Sequence, residues 1–266
     1  MNDYQQKLID IAKEYIRVCE KLNLDYYAVF GTCLGAVRHN GFIPWDDDMD
    51  FGMPRKDYEI LAREGQKYLP ENLFIQINDT DKEYYYPFMK IRDSNTTAIE
   101  TVLKDSKINH GLWIDIFPFD GLPSDYKKIK RVERFDRCFV RRRFINEGYG
   151  NSFLDKIEKM ISILLFPSKR SAFKKSVSLS KKYDFWSSNR FWSNWGRRTK
   201  GHKTKCFHNF ISVKFETLFV RVPIDYDTYL SDHYGDWKTL PPIEKRKSWH
   251  SFALIDLDEP FTKYIK

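Results

Sequence analysis

Hydrophobic positions in the first forty residues change from a helical period to a strand-like run and back. In residues 3–24 apolar side chains recur every three or four positions, which predicts an amphipathic helix with Asn2 or Asp3 as its N-cap. The sequence DYYAVFG (residues 25–31) predicts a buried strand that ends at a glycine. Residues 32–41 then predict a short helix that an Asn-Gly pair terminates.

The alternation of strands and helices continues through the first 123 residues. DMDFGM (residues 48–53) alternates polar and apolar positions and predicts a strand, and residues 55–69 have the spacing of an amphipathic helix. Further strands are predicted within residues 73–79 and 84–100, joined by a turn, and within residues 110–123. We expect the last strand to stop at Pro118 and the Gly-Leu-Pro that follows, because proline lacks an amide donor.

Beyond residue 124 the pattern becomes helical and basic, and the C-terminal part returns to short strands. Alternating strands and helices predict an α/β or α+β fold, with a mixed, mostly buried sheet flanked by helices and a basic, mainly helical insertion. The ranges that we predict are 1–123 for the core, 124–205 for the insertion, and 206–266 for a C-terminal part that completes the core.

Charge separates the same segment from the rest of the chain. Residues 121–205 carry 23 Lys and Arg against 7 Asp and Glu, a balance of +16, whereas the remainder carries 22 against 30. Such a segment can contact anionic lipid, nucleic acid or a phosphate-bearing substrate, and a solvated helical face explains it equally well. With 42% hydrophobic and 17% aromatic residues, the chain can bury a substantial core, which excludes the disordered class.

The spacing of the cysteines and the length of the apolar runs indicate the cellular compartment of the protein. The four cysteines are widely scattered and form no CxxC pair, so a zinc site or a disulfide framework is not expected. No N-terminal stretch has the pattern of a signal peptide, and the longest apolar run, MISILLF (residues 160–166), is too short to span a bilayer. We expect a reduced, cytoplasmic protein, with peripheral contact at the inner face of the cell membrane as an option.

Four aspartates fall within five residues of GFIPWDDDMDFGMPR: Asp46, Asp47, Asp48 and Asp50. Because side chains at i and i+2 of a strand share one face, Asp48 and Asp50 would project together. Carboxylates this close repel unless a divalent cation neutralises them, and Mg²⁺ typically binds one or two carboxylates together with substrate phosphates. The pair therefore predicts a metal site for phosphate chemistry, the alternative being a turn capped by Asp46 or Asp47.

A fifth aspartate points the same way. In LWIDIFPF a single carboxylate, Asp115, interrupts an apolar run, where burial is costly unless the group is paired or binds metal. If its strand lies beside the Asp48/Asp50 strand, a three-carboxylate cluster forms that suits one or two Mg²⁺ (or Mn²⁺) ions. The alternative is an Asp115 that faces solvent at a sheet edge.

Candidate phosphate contacts surround this cluster in the sequence. A strand that ends at Gly31-Thr32 and leads into a helix leaves free backbone amides, which favour a phosphate. Lys90 and Arg92 in FMKIRD, and Arg38 in the short helix, are further candidates. Salt bridges at the strand edge explain Lys90 and Arg92 equally well.

Taken together, these stretches resemble a known family. YYAVFGTCLGAVRHNGFIPWDDDMDFGMPRKDY closely resembles the signature of the LicD family, LWIDIFPFDGLP resembles its second block, and VPIDYDTYLSDHYGDWKTLPP its C-terminal block. The basic middle of the chain is not covered. The resemblance implies a nucleotidyltransferase-type fold, in which a Gly-Ser or Gly-Gly turn precedes an Asp-x-Asp strand and a third aspartate lies on a neighbouring strand.

By this resemblance Gly31-Thr32, Asp48, Asp50 and Asp115 take those roles, with Thr in place of the usual small residue. The implied reaction is transfer of phosphocholine from CDP-choline to a sugar hydroxyl of teichoic acid, capsule or lipopolysaccharide, with Asp115 or a carboxylate near it as general base. Related members transfer ribitol or glycerol phosphate, and the metal site would be identical. A choline group would favour an aromatic cage, for which the candidates are Trp186, Trp192, Trp195, Tyr234 and Trp237.

Two rival classes remain. A nucleotidyltransferase acting on nucleic acid would share the aspartates and could use the basic segment, but DIFPFDG and YGDWKTLPP would have no role, so no nucleic-acid partner is expected. A catalytically inert binding protein is disfavoured because all three carboxylates are present.

The basic segment itself has two interpretations. In residues 153–182 an apolar stripe is flanked by lysines, which predicts contact with an anionic membrane surface that presents a lipid-linked glycan. Packing against the core with a basic outer face is the alternative.

Overall fold

The computed structural model describes residues 1–133, 153–166, 168–194, 201–248 and 250–265. Its helices are α1 (Asp3–Lys21), α2 (Phe30–His39), α3 (Arg55–Glu64), α4 (residues 126–133 as far as described), α5 (Phe153–Leu165), α6 (Lys169–Ser180) and α7 (Tyr226–Tyr234). Its strands are β1 (Tyr27–Ala28), β2 (Asp50–Pro54), β3 (Leu73–Gln76), β4 (Met89–Asp93), β5 (Thr97–Glu100), β6 (Leu112–Gly121), β7 (Arg190–Trp192), β8 (His202–Lys203), β9 (Phe210–Phe215), β10 (Leu218–Pro223) and β11 (Phe252–Asp256).

The central sheet has the strand order β1–β2–β6–β4–β3. β2 and β6 are parallel, and the other neighbours in this order are antiparallel. β7 pairs with the end of β6, β8 pairs with β7, and two-stranded ladders join β9 to β10 and β5 to β11. A mixed sheet flanked by helices confirms the predicted fold class.

α1 begins and packs as its sequence predicts. The side chain of Asn2 accepts a hydrogen bond from the amide of Gln5 (2.8 Å), and the side-chain oxygen of Gln5 accepts one from the amide of Asn2 (3.2 Å), which forms a capping box. The apolar stripe of the helix, which includes Leu8 and Tyr15, is buried, and α1 packs on β6 and β4. This face covers one side of the strands that carry the candidate carboxylates.

The strand predicted at residues 25–31 is shorter than expected. β1 ends at Ala28 and α2 already begins at Phe30, which has a positive φ of 46° and donates its amide to the hydroxyl of Tyr229 (3.1 Å). An apolar run does not distinguish a strand from a buried helix start, which explains the difference. The helix ends as predicted at Asn40, in the left-handed region.

β6 ends at Gly121, where the predicted Gly-Leu-Pro stop begins, but the expected stop at Pro118 is wrong because the strand continues through it. Asp115 donates its amide to Met49 of the β2 side (2.9 Å), and alternate residues of a strand bond to the same neighbour. The amide position of Pro118 therefore faces the β4 side, where pairing ends at Ile116. A missing donor is tolerated where no partner strand lies opposite.

The C-terminal part supplies the β9–β10 hairpin, α7 and β11. β9 and β10 pack on α2, and β10 also lies against β1. Near the end of the segment predicted as a helical insertion, β7 extends β6 through the pairs Asp120–Trp192 and Gly121–Phe191. The domain ranges themselves stay a prediction. No helix among the described residues is long and apolar enough to cross a membrane.

A buried ion pair fixes α3 to the end of β6. Arg55 binds Asp120 through two bonds, Nε to Oδ1 (2.7 Å) and Nη2 to Oδ2 (2.6 Å), and Asn194 donates a third to the same carboxylate (2.6 Å). Asp120 is fully buried. Burial opposes the charge of Arg55, yet the carboxylate raises its pKa overall. The ion pair therefore fixes the start of α3, which directly follows β2, against the end of β6.

Replacing Arg55→Met should lower the free energy of unfolding by about 3–5 kcal/mol, since it leaves a buried carboxylate without its counter-charge. Urea denaturation measures the loss. Arg63→Met is the matched control: its side chain is 68% exposed, so a loss under about 1 kcal/mol is expected. Equal losses for the two variants would contradict the role given to Arg55.

Candidate active site

The sheet register brings two buried carboxylates side by side. In the parallel pair of β2 and β6, Asp50 lies opposite Asp115, so both side chains project to the same face of the sheet. Asp50 is 9% exposed and Asp115 is 5% exposed. Asp115 is therefore buried beside the Asp50 strand, and the alternative of a solvent-facing edge position does not hold.

Asp48 and Asp46 extend the pair into an acidic cluster. Burial, followed by the charges of Asp48 and Asp115, raises the pKa of Asp50 well above its usual range. Burial raises the pKa of Asp48 to about 6, although the neighbouring His250 opposes the rise. Burial and then the charge of Asp48 raise the pKa of Asp46 to about 8. The raised pKa values show that the negative charge of the cluster is only partly balanced, a condition that a bound cation relieves.

The first turn of α2 is built against this cluster. The hydroxyl of Thr32 accepts a hydrogen bond from the amide of Asp50 (2.7 Å) and so fixes the start of β2. The carboxylate of Asp46 lies against Gly31, so a Cβ at this position would push that carboxylate away from the first turn of α2. Amides in a first helical turn have no intrahelical partner and favour an anion. Phosphate contact by Gly31 and Thr32 stays a prediction.

Lys90 is a buried cation next to the cluster. It lies opposite Asp115 across β4 and β6, is 2% exposed, and places its Nζ 2.9 Å from Asp115 Oδ1. The ring centroid of Trp113 is 3.9 Å from Nζ, and those of Tyr86 and Phe88 are each 5.7 Å away. The carboxylate and the three ring faces together stabilise the ammonium. The salt bridge expected as an alternative for Lys90 is present.

The two candidate arginines bind protein groups. Arg92 is fully buried and donates to the side chain of Gln76 (2.5 Å) and to the carbonyl of Gly111 (2.7 Å). Arg38 donates to the carbonyl of Trp237 (2.6 Å), which ties α2 to the C-terminal segment. A phosphate would have to compete with these bonds. Substrate contact by Arg38 or Arg92 therefore stays a prediction.

Asp47 contacts a residue that the sequence did not single out. His250 Nδ1 lies 3.1 Å from Asp47 Oδ1 and 3.8 Å from Asp48 Oδ2, and Ser248 donates its hydroxyl to Asp47. The His250 ring stands edge-on to Trp113 with centroids 5.5 Å apart. A lone histidine some 200 residues from its partner carries no local pattern, so only the fold reveals it.

The donor atoms near the cluster fit a hard divalent cation, because carboxylate oxygens are the ligands that Mg²⁺ and Mn²⁺ prefer. Two ligand sets share Asp48. One is the predicted set with Asp50 and Asp115, for which the structure shows the β2–β6 register but no comparably close approach of all three carboxylates. The other consists of Asp47, Asp48 and His250, whose ligand atoms all lie within 4.8 Å of one another in the described part of the chain. The first set offers oxygen alone, which suits Mg²⁺ better than a set with an imidazole nitrogen.

Comparison with known proteins matches this geometry to a family. Residues 23–154 match the LicD/FKTN/FKRP nucleotidyltransferase domain, a range that includes the acidic cluster and β1 to β6. Over 263 residues, 94% of this chain and 96% of the relative, the sequence is 27% identical to the lipopolysaccharide cholinephosphotransferase LicD of Haemophilus influenzae. Residues 23–154 of this chain form a LicD/FKTN/FKRP nucleotidyltransferase domain.

Two shorter matches have no function in their names. The chain is 44% identical over 64 residues to the uncharacterized protein RP689 of Rickettsia prowazekii, covering 24% of this chain and 23% of that protein. It is 44% identical over 50 residues to the uncharacterized protein RT0683 of Rickettsia typhi, covering 19% and 16%. The predicted LicD family is confirmed by the first two findings, and with it the prediction of a transferase at the level of the family.

One aromatic candidate for the choline cage of a LicD-type site is coupled to the acidic cluster. Burial, and then the charges of Asp50 and Asp46, raise the pKa of Tyr234 well above its usual range, while 42% of the residue stays exposed. Trp192 instead packs with Leu122 in a separate small core. Trp195 lies outside the described residues. Membership of a cage stays a prediction for all the candidates.

Removing the Thr32 hydroxyl should disturb the Asp50 strand without changing the cluster's charge. Thr32→Val leaves the buried amide of Asp50 without an acceptor and should lower the free energy of unfolding by about 1–3 kcal/mol. Thr32→Ser keeps the oxygen and is the matched control. Chemical denaturation of both variants tests this, and equal losses would show that the bond does not stabilise the site.

The raised pKa values of Asp46 and Asp48 predict a pH-dependent stability in EDTA. The folded protein holds these protons more tightly than the unfolded chain, so their contribution is full below about pH 4 and is lost as pH rises through about 6 and 8. Between pH 5 and pH 8 we expect the Tm to fall by at least about 3 °C. Thermal unfolding with and without MgCl₂ measures this.

Magnesium should restore more stability at pH 8 than at pH 5, because fewer protons compete for the carboxylates. Asp46→Asn should flatten the profile, and Asp79→Asn, at an exposed carboxylate, should not. A profile that is the same for wild type and Asp46→Asn would contradict the electrostatic account.

Proposed function

We propose that this chain is a metal-dependent phosphotransferase that moves phosphocholine from CDP-choline to a sugar hydroxyl of a cell-surface glycan. The observation that carries the proposal is the pairing of Asp50 with Asp115 on neighbouring strands, next to the first turn of α2. Such a site suits a diphosphate donor, since it combines carboxylates for a cation with free amides for a phosphate. The relative that covers 94% of the chain is named a lipopolysaccharide cholinephosphotransferase, which favours that acceptor class.

Different groups of the site would hold the metal ion and the phosphates of the donor. Asp48, Asp50 and Asp115 would hold Mg²⁺ or Mn²⁺, which when bound offsets the negative charge of the diphosphate and of the departing CMP. The amides of Gly31 and Thr32 would bind a phosphate oxygen. Lys90, 2.9 Å from Asp115, holds that carboxylate in its orientation.

The reaction exchanges one phosphorus–oxygen bond for another. The acceptor hydroxyl oxygen bonds to the phosphorus that carries choline, and the bond from that phosphorus to the bridging oxygen breaks. CMP leaves with the bridging oxygen. The hydroxyl proton passes to Asp115 or a carboxylate near it, which acts as general base.

The test measures CMP release from CDP-choline, CDP-ribitol and CDP-glycerol with Mg²⁺, in the presence of lipopolysaccharide-type and teichoic-acid-type glycans. Asp48→Asn and Asp50→Asn should each lower the rate at least about 100-fold, because they remove charge from the site where the phosphates bind. Asp79→Asn removes an exposed carboxylate from a turn and should leave the rate unchanged.

Each outcome has a defined meaning. Release from CDP-choline alone supports the proposal, and release from CDP-ribitol or CDP-glycerol alone would replace choline by a polyol as the transferred group. Turnover of CTP or ATP without any CDP-alcohol would overturn the proposal in favour of a nucleotidyltransferase. Metal-independent release, equal in wild type and Asp48→Asn, would also overturn it.

A further inference from the structure

The second half of α5 exposes large apolar side chains on the surface of the molecule. Ser162 is fully buried and donates its hydroxyl to the carbonyl of Lys159 (2.7 Å). By contrast, five large apolar side chains are between 43% and 83% exposed: Met160, Ile161, Ile163, Leu164 and Leu165. A helix on the surface of a globular protein normally turns its apolar face to the core. α5 is reversed, and contiguous apolar exposure of this kind marks an interaction surface.

α5 is connected to the body of the protein through α6. Phe166, at the end of α5, packs with Ala172 of α6 in a small buried core that also touches Phe173. The ring of Phe173 meets that of Tyr85 edge-on, with centroids 6.2 Å apart. The capping box at Ser168 fixes the start of α6. These contacts through α6 fix the position of α5 and leave its apolar face exposed.

The charge around this face selects its partner. Residues 156–175 hold six basic side chains against one acidic one, Glu158: Lys156, Lys159, Lys169, Arg170, Lys174 and Lys175. A second copy of the chain would bring the same positive charge to a symmetric interface and would be repelled. An anionic lipid surface offers negative charge and an apolar interior together, and each basic residue near it strengthens the attraction.

We infer that the exposed face of α5 lies on an anionic lipid surface. The apolar side chains from Met160 to Leu165 enter the boundary between headgroups and acyl chains, and the lysines of α5 and α6 contact lipid phosphates. Thirteen residues of helix lie on the bilayer and do not cross it. This surface does not depend on the reaction; with the proposed function, it would hold the active site near a lipid-linked acceptor.

The test compares binding of the full chain to vesicles of phosphatidylglycerol and phosphatidylcholine with binding to phosphatidylcholine alone, by co-sedimentation. We expect binding only to the anionic vesicles, weakened at high salt. Leu164→Glu, at the most exposed side chain of α5, should weaken binding at least about ten-fold. Phe219→Glu is the matched control, since Phe219 is 66% exposed on β10 and lies outside this surface.

Four results would overturn the inference. Absence of binding to anionic vesicles, or equal binding of Leu164→Glu and Phe219→Glu, removes the lipid surface. A lower Tm of Leu164→Glu without vesicles would show that the chain itself covers this face. A dimer of the wild type that Leu164→Glu dissociates, seen by sedimentation velocity, would assign the face to a second copy. CMP release to water by Leu164→Glu should equal wild type, so a failed vesicle test leaves the proposed reaction standing.

Discussion

The parallel pairing of β2 with β6 is the constraint on which the rest of the site depends. It sets Asp50 opposite Asp115 in a buried part of the sheet, where two carboxylates repel each other. A shift of one residue would turn one of them to the other face of the sheet. The register is held at both ends, by the Thr32 bond to the Asp50 amide and by the Arg55–Asp120 ion pair.

The β2–β6 pairing brings several carboxylates together, and positive side chains balance their negative charge only in part. Lys90 neutralises Asp115 on the β4 side, and His250 contacts Asp47 on the other. Although burial opposes its charge, the hydrogen bond to Asp47 raises the pKa of His250 overall. The remaining carboxylates, with raised pKa values, take up protons when no cation is bound. The C-terminal segment that supplies His250 therefore completes the site both in structure and in charge.

Local sequence patterns predicted those features of the site that are set by neighbouring residues in the chain. The i, i+2 spacing of Asp48 and Asp50, the isolated Asp115 and the Asn40 stop of α2 required no knowledge of distant residues. The parts that were missed depend on tertiary partners: His250 binds a residue about 200 positions away, and Pro118 is tolerated because β4 has already ended. The Thr32 hydroxyl was missed for the same reason, since its partner is an amide rather than a substrate.

The most direct test of this account is to locate the metal. Crystals soaked with Mn²⁺ and CDP-choline, measured at the manganese absorption edge, should show an anomalous peak bounded by Asp48, Asp50 and Asp115, at the side of the first turn of α2. A peak bounded by Asp47, Asp48 and His250 instead, with none near Asp50 and Asp115, would contradict the claim that the β2–β6 register builds the catalytic metal site.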